Sequence, residues 1–431
     1  MGDRQTFQVM PSPDADEPEA DRDERALAFR HDNEIAKPYR YGVEFENGMR
    51  TDIAPTDHAA LFRFEFTGDS GNVILDNIDR DEGDSGLTID EDDGTISGWS
   101  DVASGLSNGA GRLFVWGTFD REVTQSGMLP NDDRDSTGYV KFDTSADKVV
   151  NLRIATSLMS VNQARRNLEL EIKPTDTFAT LAGRAQGQWD DKLDVIEVEG
   201  ATPDQSRTLY SNLYRLSLYP NSAHENVGSA ASPEWKHAVQ SSTDSPPATE
   251  SETGAEIADG KVYVNNGFWD TYRTVWAGYA LFDPATAGEL IDGFVEQYRD
   301  GGWVARWSSP GYANLMTGTS SDVAFADAYV KGSRASTRRT PTTRRSGTPP
   351  WRRRVRTPTT PTSAARGSRP RCSSATRRRA CPRASPGRSR ATSTTTASAT
   401  WRRRWRRARA GPTSSGSGRS RSTSSAAPPT T

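Results

Sequence analysis

Asp270, Asp322 and Asp327 are carboxylates set inside aromatic or apolar stretches of the sequence, in "GFWDTYRTVW" and "SSDVAFADAYVKG". A carboxylate in such company can pass a proton or accept hydroxyl hydrogen bonds, and that is the chemistry open to this chain. Thiolate chemistry is closed to the first 332 residues, because both cysteines, Cys372 and Cys381, lie beyond them. The histidines His31, His58, His224 and His237 are scattered without metal-ligand spacing and read as structural or exposed. The acidic run "DNIDRDEGDSG", residues 76–86, lacks the ligand spacing and closing Glu of a calcium loop and reads as a solvated loop. Asp322 and Asp327 do not share a helical face. Asp322 is the candidate for a cavity, and Asp327 is expected to be buried and hydrogen-bonded.

The elements that must position these groups fall into two kinds. Across residues 30–175 apolar side chains alternate: Phe62, Phe64 and Phe66; Leu113, Val115 and Phe119; Val150, Leu152 and Ile154. Such alternation predicts strands buried on one face, and several of them between acidic turns predict a sandwich. After Asp176 the period turns helical. "SRTLYSNLYRLSLYP" places Leu209, Leu213 and Leu216 on one stripe and stops at Pro220. In "DPATAGELIDGFVEQYRDGG", Asp283 is a candidate N-cap and Pro284 opens the first turn. Leu290, Phe294 and Tyr298 line one face there, and Gly301–Gly302 ends the helix. A further helix is expected over 321–331, and a linker helix around Gln188–Asp194.

Charge divides the chain more sharply. Of 54 basic residues, 26 are Arg beyond Gly332, where there is no Lys, Asp or Glu. The first 332 residues therefore hold 28 basic against all 57 acidic side chains, a net charge of −29. Acidity of this halophile-like kind favours a soluble body and argues against nucleic acid or an anionic membrane as its partner. No run approaches the roughly 18 apolar residues of a membrane span. The N-terminus lacks the basic start and apolar stretch of a signal peptide.

The stretch 265–332 joins W-D-T-Y-R-T, a G-G-W-x-x-R-W turn and an M-x-G…A-D-A-Y-x-K-G helix. It resembles glycoside hydrolase family 92, the calcium-dependent exo-acting α-mannosidases. Upstream segments agree in order: "FRHDNEIAKPYRYGVEF", "SLMSVNQARRNLELEI", "WDDKLDVIEVEG" and "LYSNLYRLSLYP". The resemblance covers residues 1–332 and implies an α+β multidomain fold. A β-sandwich over 1–175, its start missing, is followed by a linker helix in 176–202. The first part of an (α/α)6 barrel then occupies 203–332, and an Arg/Thr/Ser/Pro-rich tail 333–431.

The resemblance places Trp269 and Asp270 in the subsite that grips a terminal sugar, since a carboxylate beside an aromatic face can clamp sugar hydroxyls. Competing with this, Trp269 is a core aromatic and Asp270 the N-cap of a helix starting at Thr271. Arg273 is expected to ion-pair with Asp270. Arg306 and Trp307 are expected to form a loop-borne sugar contact, with plain packing as the competing reading, and Asp322 is expected to face the cavity. Inverting hydrolysis needs two carboxyl groups about 6.5–9.5 Å apart. In the family the acid, the base pair and the calcium-binding segment follow the K-G helix. Here that region has no carboxylate, so catalytic residues and Ca2+ ligands are expected to be absent from this chain. The implied partner is a mannose-containing glycan, and the implied location is extracellular or cell-surface.

The tail fits an out-of-frame translation. V-E-G-F-D, written GTC GAG GGC TTC GAC G and read from its second base, gives Ser-Arg-Ala-Ser-Thr, the sequence of residues 333–337. The chain then reads as an inactive fragment of an α-mannosidase-like enzyme. Two rival readings are a carbohydrate-binding module or pseudoenzyme, and a nucleic-acid-binding arm built on clusters such as "WRRRWRRARA".

Overall fold

Period-two patterning becomes strand after strand in the first 157 residues. The computed structural model describes residues 7–14, 16–77, 84–101, 111–130, 136–239, 247–302, 304–308, 311–313 and 315–333, all within the unit Met1–Pro361. The strands are β1 (Phe7–Ser12), β2 (Phe29–Lys37), β3 (Arg40–Phe45), β4 (Arg50–Pro55), β5 (Ala59–Glu65) and β6 (Ser70–Asn77). They continue with β7 (Ser85–Asp90), β8 (Thr95–Asp101), β9 (Arg112–Phe119), β10 (Gln125–Leu129), β11 (Ser136–Asp143) and β12 (Val149–Ser157). One sheet runs β2-β3-β4-β5-β12-β9-β8-β7 and the other β1-β6-β11-β10. Pairings within both are antiparallel.

The core lies between these sheets. Phe64, Ile96, Val115, Phe119, Val150, Leu152 and Ile154 meet Val73, Leu75, Val140 and Phe142 there. Each large side chain removed from water contributes about 1.5–3 kcal/mol. The alternation of Val150, Leu152 and Ile154 is borne out. Leu113 differs, joining Leu158, Met159 and Ala223 in a separate cluster.

Burial on one face only does not hold for the centre of the larger sheet. Helices α1 (Val161–Glu171) and α2 (Phe178–Leu193) cover its outer side, where Ala54, Leu61 and Ala155 pack against Leu168, Ile172 and Leu181. Small and apolar residues at alternate positions leave room for helices there. The acidic run also needs correction, because Asp76 and Asn77 belong to β6 and Asp76 is 1% exposed. Arg22, Arg25 and Thr137 hold its carboxylate. Residues 78–83 of that run lie outside the described residues, as do the tail readings for 334–431, with Cys372 and Cys381.

Helix α3 (Pro203–Leu216) opens on a Thr202/Gln205 capping box and buries Leu213. Short strands follow: β13 (Asn221–Ser222), β14 (Glu225–Asn226), β15 (Trp235–Ala238), β16 (Ile257–Asp259), β17 (Tyr263–Val264) and β18 (Asn266–Gly267). Then come α4 (Phe268–Thr271), α5 (Val275–Phe282), α6 (Pro284–Gly301), β19 (Trp307–Ser308), β20 (Tyr312–Ala313) and α7 (Ser320–Val330). The α6 signals act as expected. Asp283 accepts from the Thr286 N–H at 3.0 Å, and Gly302 closes the helix with φ 74°. Tyr298 departs from its stripe, being 40% exposed beyond the buried Leu290 and Phe294. Phe268, Trp276, Tyr279, Leu290, Phe294 and Ala324 form the helical core. No closed ring of helices forms among the described residues.

Candidate functional site

Strand β18 pairs with β19, setting Gly267 opposite Trp307, and β19 pairs with β20. The Phe268 N–H continues the ladder to the Arg306 carbonyl at 3.2 Å. The chain then turns into α4, whose Phe268 is buried with ring centroids 5.5 Å from Trp276, 4.9 Å from Phe294 and 5.5 Å from Phe325. That aromatic anchor leaves the next two residues at the surface. Trp269 is 42% exposed, which excludes a core role. Asp270 lies within α4, whose N-cap is Gly267, so it caps no helix at Thr271.

The indole N–H of Trp307 donates to Asp270 Oδ2 at 3.1 Å. Gly267 makes room for this bond, since a Cβ there would sit 2.1 Å from Trp307 Nε1 and 2.4 Å from Asp270 Oδ2. Arg273 makes no ion pair with Asp270 among the described residues. It donates to the Trp269 carbonyl at 3.3 Å, with its guanidinium 5.0 Å from the Trp269 ring and 4.7 Å from the Tyr272 ring. The cation stiffens the aromatic wall and leaves the carboxylate to Trp307.

Arg306 donates to the Met316 carbonyl at 2.8 Å. Met316 has φ 62°, a left-handed conformation that a residue with a Cβ rarely adopts, so this bond helps hold a strained loop. Arg306 therefore braces the corner through its backbone and its side chain. Asp322 lies exposed in the first turn of α7, and no described side-chain bond joins it to Asp270 or Trp307. Asp327 is not buried: it pairs with Lys331 one turn on, because its side of α7 faces water. The structure thus joins Trp269, Asp270, Arg306 and Trp307 and leaves Asp322 apart. Sequence reasoning missed Gly267, whose side-chain clash appears only once Trp307 is folded across it. It also missed Asn266, whose buried Nδ2 has no partner among the described residues while its Oδ1 accepts from Thr271.

Three histidines tie the parts of the fold together. His58 donates to Glu171 Oε1 at 2.7 Å and to the His224 carbonyl at 3.0 Å. Burial pushes its imidazolium down, but the bond to Glu171 and the surrounding carboxylates outweigh this and lift it to about 9. Burial lowers His224 to about 4, against its bond to the Val262 carbonyl. Burial also opposes the charge on His237, yet its bonds to Asp300 and the Gly260 carbonyl raise it overall. His31 is exposed beside Glu34.

Calcium takes six to eight oxygen ligands. Among the described residues no three His, Cys, Asp or Glu are grouped to hold a metal ion, so the donor set there does not fit calcium. No described helix is long and apolar enough to cross a membrane.

Residues 1–157 match the glycosyl hydrolase family 92 N-terminal domain, and residues 163–360 match the family's catalytic domain. The second match runs past Gly332. Among solved structures, an inverting mannosidase of the family from Bacteroides thetaiotaomicron superposes with TM-score 0.66 at 29% identity, covering 76% of this chain and 43% of its own. A second family α-mannosidase from that bacterium, solved with mannoimidazole, shares the fold with TM-score 0.63 at 19% identity, over 76% of this chain and 44% of its own. A protein named as an uncharacterized secreted glycosidase, from Arthroderma benhamiae, is 22% identical over 232 residues, 46% of this chain and 30% of the relative. The chain spans less than half the length of these relatives.

Proposed function

Since this chain belongs to glycosyl hydrolase family 92, we propose that its body serves to hold the terminal mannose of a glycan for exo-acting, inverting hydrolysis. The observation that carries this reading is the Trp307–Asp270 bond beside the exposed face of Trp269. One carboxylate oxygen is fixed by the indole, which orients the group to accept sugar hydroxyls. The flat ring beside it covers the apolar face of a pyranose. Arg306 holds the loop that borders the corner.

Inversion requires an acid that protonates the leaving oxygen and a base that activates water. Residues 333–431 contain no carboxylate to serve as either, and the reading assigns both to sequence that a one-base loss near Gly332 has replaced. A calcium ion held by the intact family's site would supply Lewis-acid polarisation and substrate orientation. The chain as it stands is then a sugar-binding fragment without turnover. Because the Asp270 corner is complete without an acid/base pair, it equally supports a carbohydrate-binding module. An extracellular location accords with the secreted relative.

The test is mannose release from α-mannosides. The chain is expected to release none. The gene with the frame restored near Gly332 and the remaining family segments supplied is expected to release mannose with inverted anomeric configuration. Release by the uncorrected chain, or a gene with no alternative frame beyond Gly332, overturns the reading.

A further inference from the structure

A cleft of about 690 Å³ opens on the outer face of the larger sheet and shares no lining residue with the Asp270 corner. Strand register builds its floor. Asp52 lies across from Arg63, Arg63 from Asn151, and Leu61 from Arg153. Gly42 stands opposite Asp52, where a Cβ would come within 2.5 Å of Asp52 Oδ1. Residues 174–177 and Phe178, at the start of α2, form one wall.

The carboxylates that line this cleft are already engaged. Asp52 accepts from Arg50 at 2.8 and 3.1 Å, and Glu65 pairs with Arg63 at 3.0 Å. Asp120 accepts the backbone and side-chain N–H groups of Asn151 at 2.7 and 2.6 Å. Asp176 accepts the Lys173 N–H at 2.9 Å and Arg184 at 3.2 Å. Two arginines are under-used by comparison. The Arg40 side chain makes no hydrogen bond among the described residues: its guanidinium lies 5.9 Å from the Phe178 ring, the Asp52 carboxylate is 3.8 Å away and its Nε is buried without a partner. Arg153 spends one Nη2 donor on the Pro174 carbonyl at 2.8 Å, and its Nε is likewise buried and unpartnered.

Beyond the Pro174 bond, the Nη groups of both arginines are uncommitted among the described residues, and this surplus favours an acceptor-rich, negatively charged guest. Arginine's planar fork matches a carboxylate or phosphate through paired bonds. Phe178 adds apolar surface beside the charges, and the volume falls in the range of roughly 300–1,000 Å³ usual for small-molecule sites. We propose that this cleft binds an oxyanion, the carboxylate or phosphate of an acidic sugar, with Arg40 and Arg153 as its ligands. The oxyanion follows from the donor accounting; the sugar that carries it rests on the proposed function.

The full chain is titrated calorimetrically at low ionic strength with inorganic phosphate, glucuronate, mannose 6-phosphate and neutral mannose. Phosphate and both acidic sugars are expected to bind, and the sugar acids more tightly than phosphate. Arg40→Gln and Arg153→Gln should each weaken the binding of inorganic phosphate, which carries no mannose, at least tenfold. Arg40→Lys, which keeps the charge and folds under the same constraints, should also weaken it through loss of the fork. In the unsubstituted chain, hydrogen exchange should slow over 149–153 and 174–178 when mannose 6-phosphate is added. Absence of oxyanion binding, protection elsewhere, or variants that bind equally well would overturn the site. Phosphate binding as tight as the sugar acids would leave the oxyanion site standing and remove the sugar. Glucuronate without mannose 6-phosphate, or the reverse, assigns the carboxylate or the phosphate source.

Discussion

Trp307 and Asp270, 37 residues apart, are joined by an indole N–H bond of 3.1 Å that passes where any Cβ on Gly267 would stand. The sugar corner therefore depends on a residue that contributes no side chain. Gly267→Ala is expected to displace Trp307 and cost about 1–3 kcal/mol, the usual range for overpacking. Denaturant unfolding of the variant measures it. A stability unchanged from the parent would show that the corner relaxes freely.

Asp76 is the buried charge on which the β6 layer rests. Burial alone would raise its carboxyl, but hydrogen bonds from Arg22 and Thr137 and the Arg25 and Arg22 charges hold it below the usual carboxylate range. Its folded value is depressed, so its stabilising contribution is present above the unfolded value of about 3.9 and is lost as pH falls through the folded one. Asp76→Asn leaves Arg25 buried without its partner and should cost about 3–5 kcal/mol. Urea titration at pH 7 checks the magnitude, and a loss below 1 kcal/mol would contradict it.

Much of the fold was legible because local signals and tertiary packing agreed. Asp283, Pro284 and Gly302 bound α6 as their chemistry requires, and Val150, Leu152 and Ile154 face the core that their alternation implies. The readings that failed depend on partners distant in sequence. Asp76 reads as one more acid in a polar run until Arg22, Arg25 and Thr137 converge on it. Asp327 is the local exception: its hydrogen bond is to Lys331 one turn on, and only the burial implied by its apolar stretch is missing. The second buried face of the larger sheet is written in Ala54, Leu61 and Ala155, residues too small or too few to announce a helix above them. At the site, the types and spacing of Trp269 and Asp270 were visible, whereas the switch of Asp270's partner from Arg273 to Trp307 requires the β18–β19 ladder.

The histidine junction should give stability an optimum in pH. His58 is raised from 6.5 to about 9, so its contribution is complete below 6.5 and is lost as pH rises through 9. His224 is lowered from 6.5 to about 4, so its contribution is present above 6.5 and is lost as pH falls through 4. The raised His237 acts in the same direction as His58. Melting temperature measured from pH 4.5 to 9.5 should peak near neutrality, and His58→Gln should flatten the alkaline limb. A curve that climbs steadily to pH 9.5 would be inconsistent with a charged His58 bonded to Glu171.

Binding of methyl α-mannoside by the Asp270 corner is the most direct measurement of the central claim. Tryptophan fluorescence of the full chain, followed through a titration with that sugar, reports on Trp269 and Trp307 at the proposed contact. The parent chain should respond saturably. Asp270→Ala should lose at least tenfold in affinity with its melting temperature little changed, because the exposed carboxylate acts on the sugar and not on the core. Equal affinity in the parent and Asp270→Ala, or no saturable response in the parent, would contradict a mannose-holding role for this corner.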